Sequence, residues 1–149
     1  ILNYSIYFIF INMNYYVKEN VSLKEYRLHK YLYNLDIVDV PEPISYDKKT
    51  LKLTMQQIPN MCISDYYGEK AENVPDKLFE KIREIIKTLY CHNIIYPDIT
   101  GYNFIELGPK VWIIDFGHAR YVSNLEEKEK EEFIIKFIDG YNAWNPDFL

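Results

Sequence analysis

Glycine is scarce in this sequence, with 5 residues among 149 and none before Gly68. The N-terminal part of the chain therefore has no Gly-rich loop that could bring backbone amides onto the phosphates of a ligand. Cysteine is also rare, and 2 residues exclude a disulfide framework and favour a reducing compartment. Basic residues are outnumbered, because 17 Lys and Arg stand against 22 Asp and Glu, and the net charge of -5 argues against nonspecific binding to nucleic acid.

Long apolar runs are missing as well. Residues 1–11 are mostly apolar, but a bilayer span needs about 20 such residues. The same stretch has neither the basic leader nor the small-residue cleavage site of a signal peptide. We therefore expect no association with a membrane and a location in the cytoplasm.

The residues that are present indicate a globular protein, since 48% are hydrophobic and 26% are charged. A chain of 149 residues is long enough for one domain or one small two-lobed unit with a real core. Ile, Asn, Lys and Tyr are frequent, with Tyr alone at 15. Such usage often accompanies an AT-rich genome, as in some large DNA viruses, and in that case the location would be the host cytoplasm.

A β-hairpin is the clearest local prediction. Apolar residues at 104–107 and 111–114 are separated by Gly108, Pro109 and Lys110, and a short apolar strand at 94–95 precedes them. Apolar runs bounded by Gly and Pro are typical of buried strands with a tight connection. The hairpin would bring together the residue before its first strand and the residue after its second.

Those two residues are Asn103 and Asp115, and Asp98 lies in the loop before them. Two acids and an amide that converge at one end of a hairpin suit Mg²⁺, which takes oxygen ligands and leaves positions for phosphates. The sequence therefore predicts a magnesium site at this end of the hairpin.

The pattern Asp98-x-x-x-x-Asn103, followed by Asp115 in an Asp-Phe-Gly turn, resembles the catalytic loop and metal-binding turn of the protein-kinase-like superfamily. The resemblance implies that Asp98 accepts or orients the proton of the attacking hydroxyl. Asn103 and Asp115 would hold Mg²⁺ on the phosphates of ATP. Such a site works by positioning and charge stabilisation more than by covalent chemistry.

The same resemblance implies a fold. We expect one kinase-like domain over residues 1–149, of the α+β class, with a truncated bilobal architecture. Residues 1–57 would form a small β-rich N-lobe with one helix. Residues 58–149 would form a mainly α C-lobe that carries the catalytic hairpin and lacks an activation segment.

The N-lobe offers a lysine and a glutamate. Residues 6–11 and 15–18 are predicted strands, and Lys18 resembles the strand lysine that pairs with the α- and β-phosphates and with a helix glutamate. Glu25 shares one face of a predicted helix, which runs to about residue 35, with Leu28. Ser22-x-x-Glu25 is also a capping box, in which Glu25 reaches back to the amide of Ser22. Glu25 can therefore pair with Lys18 or with the helix end.

The adenine pocket is read from the resemblance alone. Met55, at the end of a predicted strand, would sit where the pocket is gated, although a Met in a strand is more often core filler. The backbone from Gln56 to Ile58 would bond the base. Asp65 lies where a polar residue could meet the ribose, and Ile105 resembles the residue that supports the adenine ring from below.

Several residues depart from the family pattern. The usual His-Arg-Asp is Tyr96-Pro97-Asp98 here, so the Arg that reads a phosphorylated activation loop is lost. Tyr96 can still pack under Phe116, as the usual His does. Tyr16 occupies a place where the family has a small residue above adenine. Thr100 stands where the family commonly has a lysine, two residues after the catalytic Asp. Atypical kinases of the RIO type and of the tRNA-threonylcarbamoylation complex share this difference, and the chain resembles them most.

Two weaker local patterns complete the set. Cys91-His92 lacks a second Cys/His pair, so we interpret it as a buried cysteine beside a surface histidine and not as a metal site. Ser123-x-x-Glu126 is a second capping box and predicts a helix that starts there.

Three functions fit these residues. The first is an atypical serine/threonine protein kinase that uses Mg-ATP and has a protein substrate or partner. The second is a catalytically weak pseudokinase or binding module, which the missing Gly-rich loop and Tyr16 favour. The third is a small-molecule kinase, which shares the acidic core but usually carries a larger C-terminal region.

Overall fold

The computed structural model describes residues 14–138 and 143–146, without the side chains of residues 134–138. The strand expected at 6–11 lies outside these residues. The first described element is a three-stranded antiparallel sheet made of β1 (Tyr15–Lys18), β2 (Pro43–Asp47) and β3 (Lys52–Gln56), in the order β1-β3-β2. The carboxylate of Asp47 closes the turn between β2 and β3 by accepting the N–H groups of Lys49 and Thr50 at 2.8 and 3.3 Å.

Helix α1 (Leu23–Leu35) connects β1 to β2. It begins where Ser22 Oγ accepts the Glu25 N–H at 3.1 Å, and it ends at Asp36, whose left-handed backbone (φ 54°) turns the chain away. Its buried face repeats at helical spacing and consists of Glu25, Leu28, His29 and Leu32. One charged residue, Glu25, therefore points inward with the apolar ones.

The remainder of the described chain is mainly helical, with two small sheets. The helices are α2 (Ile63–Tyr67), α3 (Asp76–Cys91) and α4 (Glu127–Ile138). Strands β5 (Phe104–Leu107) and β6 (Lys110–Ile113) form the expected hairpin, and β4 (Ile94–Ile95) pairs antiparallel with β7 (Arg120–Tyr121). Short 3₁₀ turns occupy Ala71–Asn73 and Gly101–Asn103. Within the described residues, none of the helices is both long and apolar enough to cross a membrane.

The main core lies between α1, α3 and the hairpin. Helix α3 contributes an apolar stripe at helical spacing, made of Leu78, Phe79, Ile82, Ile86, Leu89 and Tyr90. The same core takes Leu28, Leu32 and Val40 from the part of the chain before residue 57. A smaller core beneath the sheet contains Val21, Leu53 and Met55. Residues from both sides of the expected lobe boundary at 57/58 therefore pack in one core. The division into two lobes stays a prediction.

Two local predictions are wrong. Cys91 is exposed at the end of α3, because it falls on the face of the helix opposite the apolar stripe. Helix α4 begins at Glu127 and not after Ser123, since residues 123–124 form a turn and Lys130 N–H is bonded to Glu126 O at 3.1 Å.

We expect Gly101→Ala to destabilise the protein, because Gly101 packs against α2 without room for a side chain. A Cβ at this position would lie 2.4 Å from Ser64 Oγ and 3.0 Å from the Ser64 backbone nitrogen. Overpacking of this kind costs about 1–3 kcal/mol. The free energy of unfolding, measured by urea titration, is expected to fall by that amount.

Ser64 provides the matched test. Its Oγ is buried and has no hydrogen-bond partner in the described part of the chain. Ser64→Ala alone is therefore expected to be neutral or slightly stabilising, and combined with Gly101→Ala it should return part of the loss. A Gly101→Ala protein as stable as the parent would contradict this account of the packing.

Candidate active site

The hairpin brings Asn103 and Asp115 together. Phe104 pairs with Ile113 at the open end of the hairpin, and the next residues outward continue the pairing, since Ile114 N–H donates to Asn103 O at 2.9 Å. The connection at the closed end is short because Gly108 adopts a positive φ of 59° there. Asn103 and Asp115 therefore flank the same end of the two strands.

Asp115 has an unusual backbone. Its φ is 64°, in the left-handed region that Asp tolerates better than most residues. In this conformation its carboxylate accepts the Gly117 N–H at 3.2 Å. A Cβ on Gly117 would come within 3.3 Å of Asp115 Oδ1 and 3.5 Å of Glu25 Oε2. Because Gly117 has no side chain, the carboxylates of Asp115 and Glu25 can both lie close to it.

Lys18 reaches this turn from β1. Its ammonium group contacts Glu25 Oε1 and lies 3.0 Å from Asp115 Oδ1. Burial alone lowers the pKa of Lys18, but the hydrogen bonds and charges of Glu25 and Asp115 together raise that pKa above its ordinary value of 10.5. The lysine is therefore positively charged at neutral pH.

Glu25 is held on the other side of Lys18, with 7% of its side chain exposed. Of the two pairings that the sequence allows, its carboxylate makes the contact with Lys18, while its backbone N–H takes the Ser22 cap. A buried carboxylate needs such a partner, because an unpaired charge in the interior is costly. Helix α1 and strand β1 are thereby joined at the site.

The loop before the hairpin is fixed by Asn103. Its side chain is buried, and Nδ2 donates to the backbone oxygen of Asp98 at 2.9 Å. This bond uses the amide nitrogen of Asn103, so the amide oxygen is the atom available to a cation. The hairpin therefore places a carboxylate, from Asp115, and an amide, from Asn103, at the same end of its two strands.

Asp98 has a partner that sequence reasoning missed. His118 Nδ1 lies 2.7 Å from Asp98 Oδ2, although His118 is 75% exposed. The hydrogen bond to Asp98 and the charge of that carboxylate raise the pKa of His118 above its ordinary 6.5, with smaller contributions from Asp115 and Glu25. The sign of this contact in the sequence is that His118 directly follows the Asp-Phe-Gly turn.

Aromatic contacts join α1 to the catalytic loop. Phe116 lies between His29 and Tyr96, with ring centroids 5.3 and 5.9 Å away, and both contacts are edge-to-face. Tyr96 is buried and its hydroxyl donates to Ile114 O at 2.6 Å. Burial raises the pKa of Tyr96 well above its ordinary value of 10.0, so the hydroxyl keeps its proton. Tyr96 thus packs under Phe116, as expected from the sequence.

A cleft of about 380 Å³ opens between the three-stranded sheet and the hairpin, within the size range of small-molecule pockets. Seven residues expected at the site line it, namely Lys18, Met55, Gln56, Ile58, Asn103, Ile105 and Asp115. Tyr16, Pro41 and Tyr102 line it as well. Glu25 and Asp98 are not among the residues that line the cleft: Glu25 contacts Lys18, and the backbone oxygen of Asp98 accepts the side-chain amide of Asn103.

Asp65 is not brought to the cleft. It lies exposed in α2 and is not among the residues that line the cleft, whereas Tyr102 is. The hydroxyl of Tyr102 is bonded to Glu69. The sequence did not predict the short helix α2, which carries Asp65.

The backbone expected to bond adenine is partly engaged already. The N–H of Gln56 donates to Glu42 O at 2.9 Å, and that of Gln57 donates to Asn14 O at 3.2 Å. Within residues 14–138, the bonds that the structure shows leave the N–H of Ile58 without an acceptor. Of these three residues, Ile58 is therefore the one that lines the cleft with an N–H open to a ligand.

The donor set fits a magnesium ion on a nucleotide. Mg²⁺ is usually bound by one or two protein carboxylates or other oxygens and completes its shell with water and phosphate oxygens. Asp115 and Asn103 supply two such oxygens at one wall of the cleft. Among the described residues no group of three or more His, Cys, Asp or Glu side chains could hold a metal.

Comparison with known proteins agrees with this geometry. The sequence matches the RIO domain over residues 8–138. The chain belongs to the RIO domain family. RIO domains are members of the protein-kinase-like superfamily, which confirms the resemblance and the mixed fold of helices and small sheets that the sequence predicted.

The relatives of this RIO domain carry two kinds of name. A probable bifunctional tRNA threonylcarbamoyladenosine biosynthesis protein of Methanosarcina acetivorans is 33% identical over 96 residues, which cover 64% of this chain and 16% of that protein. The EKC/KEOPS complex subunit BUD32 of Enterocytozoon bieneusi is 26% identical, with 72% of this chain and 64% of the relative covered. Its counterpart in Encephalitozoon cuniculi is also 26% identical, over 71% and 52%. The chain thus spans a minor part of the first protein and 52 to 64% of the others.

The contact between His118 and Asp98 predicts a titration in this RIO domain. We expect the imidazole of His118 to titrate above pH 6.5, and Asp98→Asn to move its pKa back toward 6.5. A raised pKa in the folded state means that the contact stabilises the protein fully below pH 6.5 and that this contribution is lost as the pH rises through the folded pKa. Histidine NMR signals followed over pH in the parent and in Asp98→Asn measure the shift. A His118 pKa that is the same in both proteins would contradict the contact.

Proposed function

We propose that this RIO domain is an atypical protein kinase, which binds ATP with Mg²⁺ and transfers the γ-phosphate to serine or threonine of a protein. One observation carries the proposal: the charged Lys18 lies between Glu25 and Asp115 at the wall of a cleft that also contains Asn103. Lys18 thus supplies an ammonium group at the cleft wall that can contact the phosphates of a nucleotide. Membership of the protein-kinase-like superfamily supports the same assignment.

Each residue has a role in this proposal. Asp115 and the Asn103 oxygen would hold Mg²⁺, which neutralises phosphate charge as that charge develops. Lys18 would balance charge on the phosphates, and Glu25 keeps Lys18 in place. The Ile58 amide would bond the base, between Met55 and Ile105 on the cleft walls. Asp98 would accept or orient the proton of the attacking hydroxyl.

A protein partner is part of the proposal. Two of the relatives are named as subunits of a complex, the EKC/KEOPS complex, and a third as a tRNA threonylcarbamoyladenosine biosynthesis protein. Those names suggest that this chain also works beside other proteins. A pull-down with the parent chain can identify the partner and the protein that would receive the phosphate.

The test is an ATP titration followed by a transfer assay. We expect ATP to raise the melting temperature only when Mg²⁺ is present, and labelled phosphate to appear on a protein acceptor such as casein or on the chain itself. Asp98→Asn should keep the ATP-dependent shift and lose transfer by about 10²- to 10⁴-fold, because it removes one proton acceptor. Asp36→Asn is the control, since Asp36 is exposed at the end of α1, away from the cleft. Transfer that is equal in Asp98→Asn and the parent would refute the proposal.

A second candidate is a nucleotide-binding subunit without phosphate transfer. Two observations favour it: residues 1–67 contain no glycine that could form a Gly-rich loop over the phosphates, and His118 already occupies one oxygen of Asp98. This candidate predicts a Mg²⁺-dependent ATP shift with no labelled product. His118→Ala tests the second candidate further, because this variant frees the Asp98 carboxylate. Transfer that appears only in this variant would mean that the other residues of the site can support it.

A further inference from the structure

Tyr16 places an aromatic ring at the wall of the cleft. It lines the cleft from β1 and is 53% exposed. Within the described residues, its ring makes no contact with another ring and its hydroxyl makes no hydrogen bond. Tyr102, the other aromatic residue that lines the cleft, is held by the bond of its hydroxyl to Glu69. Tyr16 therefore presents a ring that is available to a ligand.

Strand β1 directs Tyr16 and Lys18 to the same face of the sheet. In the antiparallel pairing with β3, Tyr16 lies opposite Met55 and Lys18 lies opposite Leu53, and both of these partners are buried. Successive side chains of a strand alternate between its two faces. Tyr15 therefore points to the other face, and it is not among the residues that line the cleft.

The spacing along β1 fits a nucleotide. Residues two apart on a strand are separated by about 7 Å. The ammonium group of Lys18 lies 3.0 Å from Asp115, where the phosphates are proposed to bind. A base beside Tyr16 and phosphates beside Lys18 can therefore be joined by one ribose.

The hairpin side of the cleft provides an aliphatic surface. Ile105 lines the cleft from β5, across from the sheet that carries Tyr16. A planar base that enters between the sheet and the hairpin would have the tyrosine ring on one side and the isoleucine on the other. Because residues 1–67 contain no glycine that could form a loop over the phosphates, contacts to the base gain weight relative to contacts to the phosphates.

We propose that Tyr16 stacks on the base of the bound nucleotide and makes the cleft selective for purines. An aromatic side chain and a base attract each other face to face, and the attraction is strong enough to affect affinity tenfold or more. The two fused rings of a purine offer more area for this contact than the single ring of a pyrimidine. The inference rests on the proposed function in that it takes the cleft as the nucleotide site, but its test measures binding and not phosphate transfer.

The experiment measures the binding of three probes by isothermal titration calorimetry: ATP with Mg²⁺, inorganic tripolyphosphate with Mg²⁺, and adenosine alone. We expect Tyr16→Ala to weaken the binding of ATP and of adenosine about tenfold or more. The binding of tripolyphosphate should not change, because tripolyphosphate has no base. Tyr16→Phe, which keeps the ring, should bind all three probes like the parent.

Tyr15→Ala is the matched control. Tyr15 is 55% exposed on the same strand, next to Tyr16, but lies outside the cleft wall. This variant should bind all three probes like the parent. Melting temperatures of the variants, which alter exposed side chains, verify that each is folded.

Uridine tests the preference for a purine. The parent should bind adenosine more tightly than uridine, and the difference should narrow in Tyr16→Ala. A preference that is the same in both proteins would overturn the assignment of purine selectivity to Tyr16.

Three outcomes would overturn the stacking itself. Tighter binding of ATP by Tyr16→Ala would mean that the ring narrows the cleft, and an equal loss for ATP and tripolyphosphate would mean that the substitution displaces Lys18. Equal binding of ATP by Tyr16→Ala and the parent would exclude stacking and leave the kinase proposal standing. Conversely, a parent that binds adenosine through Tyr16 but transfers no phosphate would exclude the kinase proposal alone. A parent that binds neither ATP nor adenosine would overturn both.

Discussion

Asp115→Asn is expected to abolish the Mg²⁺-dependent shift of melting temperature with ATP and to lower phosphate transfer about 10²- to 10³-fold. The carboxylate is the one negatively charged side chain that the described residues place on the cleft wall, and it lies 3.0 Å from Lys18. An amide is a weaker ligand for Mg²⁺ than a carboxylate. In the variant, the ion would be held by two neutral oxygens, one from the amide introduced at position 115 and one from Asn103.

The substitution leaves the shape of the turn intact. Asn tolerates a left-handed backbone as well as Asp does, so the φ of 64° is retained. The amide oxygen can still accept the Gly117 N–H, and Lys18 keeps its contact with Glu25. Loss of function without loss of fold is therefore the expected result, measured by calorimetric melting with ATP, with and without Mg²⁺.

Asp36→Asn is the matched control for this variant. Asp36 is the other aspartate with a left-handed backbone among the described residues, at φ 54°, and it lies at the end of α1. The same chemical change in the same backbone conformation should leave the ATP response unchanged. An Asp115→Asn protein that responds to Mg-ATP like the parent would remove the basis of the proposed function.

Lys18→Met is expected to lower the free energy of unfolding by about 3 kcal/mol. Breaking a buried ion pair by removal of one partner costs about 3–5 kcal/mol, because the other charge remains buried and unpaired. Glu25 is 7% exposed, while 25% of Lys18 is exposed, which places the loss at the lower end of this range. Guanidinium titration at pH 7 measures it.

The double variant Lys18→Met with Glu25→Met isolates the cause. An apolar pair of similar volume often replaces a buried ion pair without loss of stability, so most of the loss of about 3 kcal/mol should return. Binding of ATP should not return, because the cation is still missing. A double variant as unstable as the single one would show that the loss arises from packing and not from the charge of Glu25.

The pH dependence of stability gives an independent measure of the same contact. The pKa of Lys18 is raised above 10.5 in the folded protein. Its contribution to stability is therefore complete below pH 10.5 and is lost as the pH rises through the folded pKa. Lys18→Met should flatten this loss at alkaline pH.

The sequence predicted the parts of the site that depend on local structure. Asn103 and Asp115 are close because a two-stranded hairpin with a tight connection leaves little choice of register. The pairing of Lys18 with Glu25 was implied by the resemblance to the kinase family, and the helix periodicity supported it by directing Glu25 to the buried side.

Features that depend on distant contacts were missed. Asp65 lies on α2, and the five residues of this helix are too few to give a periodic signal. The contact of His118 with Asp98 depends on how the chain leaves the Asp-Phe-Gly turn, and the strand β7 of two residues depends on its pairing with β4. Ser123 resembled a helix cap, but the charged residues that follow permit a start anywhere in that run, and the helix starts at Glu127.

Helix α1 belongs to both hydrophobic cores, since Leu28 and Leu32 pack in the large one while Tyr26 packs against the small one and stacks on Tyr46. The packing of one helix in both cores ties the three-stranded sheet to the rest of the described chain on the side of Glu25. On the side of Asp115, the sheet is joined through the 3.0 Å contact of Lys18. Phosphates of a nucleotide that contact Lys18 would therefore compete with Asp115 for the same positive charge.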